Sequence, residues 1–141
     1  MKTLFTAMTF FLLIFTKSAF ACTCEELGTN FFETVSLHNS KVESGEYSEV
    51  MELTIVSADV VKYLQLRNSP YPTEMLLNVS GVIQGDLSSK SLIVEGDDGF
   101  SCSPYVMNFS IGKKYLLALG KYKGRYYISS CGHYSTSIET R

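Results

Sequence analysis

Histidine is almost missing from this chain: His38 and His133 are the only two among 141 residues. Two scattered imidazoles are too few for a zinc site built by the protein itself. Basic clusters are equally scarce, none being longer than Lys113-Lys114. Nucleic acid and anionic membrane surfaces both call for a basic face, so neither is an expected partner. There is no internal repeat and no low-complexity run, hence no sign of a second domain. The sequence also offers no grouping of serine, histidine and acid, no P-loop and no paired catalytic carboxylates, and it does not read as an enzyme. Asp97-Asp98, between Gly96 and Gly99, lacks the alternating oxygen ligands of a calcium loop and reads as a turn.

Long apolar runs are confined to the first residues. Lys2 precedes an apolar stretch from Leu4 to Phe15, and Ala19-Phe20-Ala21 places small residues where a signal peptidase reads them. The stretch is shorter than the roughly 20 residues a membrane-spanning helix needs. Residues 1–21 are therefore expected to be a cleaved signal, leaving 22–141 as one secreted or periplasmic domain with no stable membrane insertion. A lipoprotein signal, with Cys22 lipidated, would want an aliphatic residue and then a small one ahead of the cysteine's neighbour. Ala19 and Phe20 stand there instead, so ordinary cleavage is expected. The leader holds two of the twelve basic residues and none of the fourteen acidic ones, which makes the mature side chains net −4.

Four cysteines remain: Cys22, Cys24, Cys102 and Cys131. In an exported chain of this size they imply disulfides before metal or redox chemistry. Four cysteines allow three connectivities. A Cys22–Cys24 bond would close a strained small ring, which leaves the two ends of Cys22-Thr23-Cys24 tied separately to Cys102 and Cys131. Such bonds close loops of about 80 to 107 residues, each worth roughly 4–5 kcal/mol in the chain-entropy model. A redox-active Cys-x-Cys would need a lowered thiol pKa and a thioredoxin-like βαβ pattern, and the sequence provides no such pattern.

Between Glu25 and Glu49 the signals predict a short helix with Phe31, Phe32, Val35 and Val42 on one face, interrupted by Gly28, Asn39, Ser40 and Gly45. From Val50 the pattern turns to strands. A long first strand runs from Val50 to Val61, bent near Ser57-Ala58-Asp59, and ends before Pro70 and Pro72. Met75–Ile83, Ser91–Glu95, Tyr115–Leu119 and Tyr126–Ser129 read as four more, separated by turns at Gly85-Asp86, 96–99 and 121–124. Five short strands at this spacing suggest a small closed barrel or a sandwich.

The ordered set of residues resembles a known group. Cys22-Thr23-Cys24 after a signal, Val60-Val61, the run from Val79 to Gly85, Gly99-Phe100-Ser101-Cys102, Ile111 to Ala118 and Ser129-Ser130-Cys131-Gly132 fall in the order found in the tissue inhibitors of metalloproteinases and the wider netrin-like module. The likeness covers about Val50 to Gly132 and the first three mature residues. It implies a mainly β fold, a five-stranded Greek-key barrel of the OB type with one or two short helices. It also implies disulfides Cys22–Cys102 and Cys24–Cys131.

The resemblance further implies an inhibitory edge that binds a zinc metalloprotease. The α-amine and carbonyl oxygen of Cys22 would occupy the open position on the partner's zinc, so the protein needs no cofactor of its own. An α-amine titrates at about 7.7–8.0, within reach of metal binding at neutral pH. Thr23 would enter the partner's specificity pocket, Phe100 and Ser101 would line the same ridge, and Cys24 would anchor it. The rival expectation is a recognition or attachment module in which the disulfides only hold the fold. Tyr115, Tyr122, Tyr126, Tyr127 and Tyr134 either cover the barrel or form a ligand face, since OB barrels can bind bases on aromatic faces. Asn78-Val79-Ser80 and Asn108-Phe109-Ser110 match the N-glycosylation pattern.

Overall fold

The computed structural model of the protein describes residues 27–47, 53–97 and 102–139. Its elements are one helix, α1 (Phe31–Glu43), and six strands: β1 (Thr54–Leu64), β2 (Glu74–Gln84), β3 (Ser91–Glu95), β4 (Lys114–Tyr122), β5 (Arg125–Tyr127) and β6 (Ser135–Ile138). A 3-10 turn, Val106–Asn108, precedes β4.

The sheet order β1-β2-β3-β5-β4, with β1 also paired to β4, closes a five-stranded barrel. All ladders are antiparallel except β3–β5, where Val94 faces Tyr126 and Glu95 faces Tyr127. Closure depends on β1, whose eleven residues serve β2 along one edge and β4 along the other. The β1–β2 register slips between Ile55 and Val56, between Ser57 and Ala58, and between Val60 and Lys62. Extra residues in one strand bend it and increase its twist, and a sheet needs that to close on itself. The bend expected near Ser57-Ala58-Asp59 is the second of these slips.

Alternation then fills the interior. Val56, Val60, Met75, Leu77, Val94, Leu117 and Leu119 are fully buried, and Val106 from the 3-10 turn joins them. Burying a side chain of this kind contributes roughly 1.5–3 kcal/mol. Helix α1 packs through Phe31, Thr34 and Val35, the spacing of a single helical face. Phe32, expected on that face, is one residue and about 100° away from Phe31; it is 72% exposed, its ring edge-on to Phe31 at 5.5 Å. Asn39 and Ser40 do not break the helix, which continues to Glu43.

The helix start is strongly specified. Asn30 caps it by accepting from the Glu33 N–H at 3.1 Å. Glu33 reaches back past the cap to accept from the backbone and hydroxyl of Thr29, both at 2.7 Å, a variant of the capping box in which the residue before the cap is the one satisfied. Those bonds hold the Glu33 carboxyl below its usual pKa. Gly28 turns the chain into the helix at φ +71°, where a Cβ would lie 2.8 Å from the Thr34 nitrogen.

The strands differ from expectation mainly at the carboxyl end. β5 stops at Tyr127 rather than Ser129, and β6, which the sequence did not announce, follows. Both strands pair with the same edge of β4: β5 with Gly120–Tyr122 and β6 with Lys114–Leu117. Between them residues 128–133 leave the ladder, and the chain returns where Tyr134 O accepts from the Ala118 N–H at 2.9 Å. That excursion carries Cys131. Val50, the expected start of the first strand, lies outside the described residues.

Candidate functional site

The excursion at 128–133 meets the start of the described chain. Leu27 pairs with Gly132 as an isolated parallel bridge, and the Leu27 N–H donates to Cys131 O at 3.4 Å. Thr34, fully buried on α1, joins the two segments. Its hydroxyl donates to Leu27 O and accepts from the His133 N–H at 3.1 Å. Gly132 fits this contact because it has no side chain; a Cβ would be 3.0 Å from Thr34 Cγ2 and 3.2 Å from Leu27 O. Next to it, Cys102 O accepts from both the backbone and the hydroxyl of Ser130, at 2.8 and 2.7 Å. Cys102 and Cys131 are thus brought to one corner, beside the segment that leads from the amino terminus.

Both of these cysteines are disulfide-bonded. Their expected pairing with Cys22 and Cys24 falls outside the described residues. So do Thr23, Phe100 and Ser101, the other members of the expected edge.

A second helix contact backs the corner. His38 Nδ1 and Tyr134 Oη are 3.0 Å apart, with the rings edge-on at 5.8 Å. Burial, with smaller contributions from Tyr47 and Tyr127, pushes the Tyr134 phenol up to about 12. His38 therefore serves the helix–barrel contact. Among the described residues no three or more of His, Cys, Asp and Glu are grouped to hold a metal ion, and no helix is long and apolar enough to cross a membrane.

A cleft of about 730 Å³ opens on the barrel's outer surface near Cys102, a size typical of ligand sites. Its floor crosses three strands: Glu74 on β2 faces Glu95 on β3, which in turn faces Tyr127 on β5. Arg125 donates to Glu95 across the floor. The outer end of Tyr127 packs against Gly120, where a Cβ would be 2.6 Å from its ring, and burial raises its pKa. Tyr122 flanks the cleft from the end of β4.

The tyrosines thus divide. Tyr115 and Tyr134 are buried and Tyr126 packs against the core, whereas Tyr122 and Tyr127 line the cleft. The cleft escaped sequence reasoning because Thr73, Glu74, Glu95 and Arg125 are far apart in the chain and form no motif. Asn78 and Asn108 of the two glycosylation patterns are both exposed. Asp97 N–H donates to Pro104 O at 3.1 Å, and Asp98 and Gly99 of the expected turn lie outside the described residues. Compared with known proteins, the chain matches no family model, no curated protein and no solved structure.

Proposed function

We propose that the protein is an exported inhibitor of a zinc metalloprotease, built on a netrin-like OB-type barrel. In this reading signal cleavage after Ala21 frees the amine of Cys22, disulfides Cys22–Cys102 and Cys24–Cys131 fix it, and Thr23 with Phe100-Ser101 completes the edge. The amine and carbonyl of Cys22 bind the partner's zinc, and the protein itself performs no catalysis.

The observation that carries the reading is the corner at Leu27. Leu27 lies three positions after Cys24, a span of at most about 11 Å, and Leu27 is bridged to the neighbour of Cys131. A disulfide needs Cα atoms roughly 4.4–6.8 Å apart, a separation well within that span. The OB-type assignment is supported by the closed strand order and by the parallel β3–β5 pair.

The test is an N-terminal read and intact mass of the secreted, unreduced protein, followed by titration against a panel of zinc metalloproteases. A start at Cys22, two intact disulfides and inhibition abolished by acetylating the terminus are expected. A start at Cys22 without inhibition would favour the recognition module instead, and a lipid on Cys22 would remove the chelating amine altogether.

A further inference from the structure

We infer that the cleft bordered by Glu74, Glu95, Tyr122 and Tyr127 is a binding site for an organic cation, an alkylammonium or guanidinium group on an apolar stem. This goes beyond the proposed inhibition and does not rest on it, since no residue of the expected edge takes part.

Charge is the first argument. Glu74 and Glu95 stand directly opposite each other on β2 and β3, an arrangement in which like charges repel. Arg125 answers only one of them, by its bond to Glu95. Glu74 has no ion-pair partner among the described residues, although it is half-buried in the cleft wall. Among the described residues the other cation lining the cleft is Lys123, with its ammonium 5.1 Å from the centroid of the Tyr122 ring. The cleft's charges balance in number, but neither cation pairs with Glu74, whose carboxylate is the one left unanswered.

The second argument is a hydrogen-bonding group. Thr73 lines the same cleft, is only 4% exposed, and its Oγ1 is buried with no hydrogen-bond partner. A buried hydroxyl left unmatched costs free energy that a bound partner recovers. Its backbone cannot shift to help, because Thr73 N–H already donates to Leu64 O at 3.2 Å and Thr73 O accepts from Gly96 N–H at 2.8 Å. An ammonium or guanidinium supplies both missing parts: charge for the Glu74 carboxylate and an N–H for the Thr73 hydroxyl. The tyrosine rings suit the rest of the guest. The half-buried Tyr127 stays neutral, and aromatic faces attract cations as well as apolar stems.

The experiment is an amide-resolved NMR titration of the intact protein with n-butylguanidinium, and with n-butylurea as its neutral counterpart. Saturable shifts at Thr73, Glu74, Glu95 and Tyr127 with the cation, and none with the urea, are expected. Glu74→Gln should weaken binding at least tenfold and Thr73→Val about threefold, whereas Glu46→Gln, in the remote Lys41 pair, should change nothing. A further titration with acetyl-Gly-Arg-Gly-amide identifies the source. Tighter binding than butylguanidinium points to a basic side chain of a protein partner, and weaker binding to a free amine. Equal shifts with butylurea, no shifts at all, or an affinity unchanged in Glu74→Gln would overturn the inference. The comparison of the two probes on the unaltered protein holds even if a variant does not fold.

Discussion

One hydroxyl joins three segments of this molecule. Thr34 Oγ1 satisfies both Leu27 O and the His133 N–H from the first turn of α1. Thr34→Val keeps the shape and removes the hydroxyl, stranding a buried acceptor at Leu27 and a part-buried donor at His133. The expected loss is about 2–3 kcal/mol in urea unfolding, while Thr34→Ser should retain most of the stability. Tyr134 makes a prediction of a different kind. Its phenol ionises near 10 when unfolded and near 12 when folded, so the folded state holds the proton more tightly. Stability from this group is fully present below pH 10 and declines as pH rises from 10 towards 12. Tyr134→Phe should flatten that alkaline decline in a pH series of denaturation midpoints, at a constant cost of about 1 kcal/mol for the lost His38 contact.

The β4–β5 turn is an element under local strain. Lys123 and Gly124 both adopt positive φ, 48° and 80°, the pair of conformations in a two-residue hairpin of the I′ type. Glycine takes this readily, but lysine does so at a cost, and asparagine is the residue preferred there. Lys123→Asn is therefore expected to raise stability by about 0.5–1 kcal/mol, read from the denaturation midpoint. Its cation–π contact with Tyr122 is solvent-exposed and too weak to reverse that sign. The turn itself was legible from Lys121-Tyr122-Lys123-Gly124, as were the strands on either side, because alternation and glycine act locally. β6 was not legible. Ser135-Thr136-Ser137 carries no apolar alternation and is held by backbone bonds to β4 alone. The helix was read shorter than it is, since burial of Phe31, Thr34 and Val35 outweighs the modest propensity cost of Asn39 and Ser40. The cysteine pattern was visible in sequence, but not the loop at 128–133 that carries Cys131 to Leu27, since that depends on a ladder interrupted between two separate strands.

At the scale of the whole molecule, the barrel and the amino-terminal corner depend on different bonds. The barrel closes through β1–β4 and β3–β5 pairs and a core drawn from β1 to β4. The corner is held by the Leu27 bridge, Thr34 and, in the proposed function, two disulfides. Closing a loop of about 107 residues contributes roughly 4–5 kcal/mol in the chain-entropy model, a large share of the 5–15 kcal/mol typical of a domain. Cys24→Ser should therefore lower the denaturation midpoint severely and weaken inhibition with it. Acetylation of the Cys22 amine leaves every one of these bonds in place. It should leave the midpoint unchanged while abolishing inhibition, because only the chelating nitrogen is blocked. Parallel unfolding and inhibition curves on the two proteins check both statements. If acetylation lowered the midpoint as far as Cys24→Ser does, the terminus would be an internal strut of the fold rather than an exposed edge, and the inhibitory reading would fail.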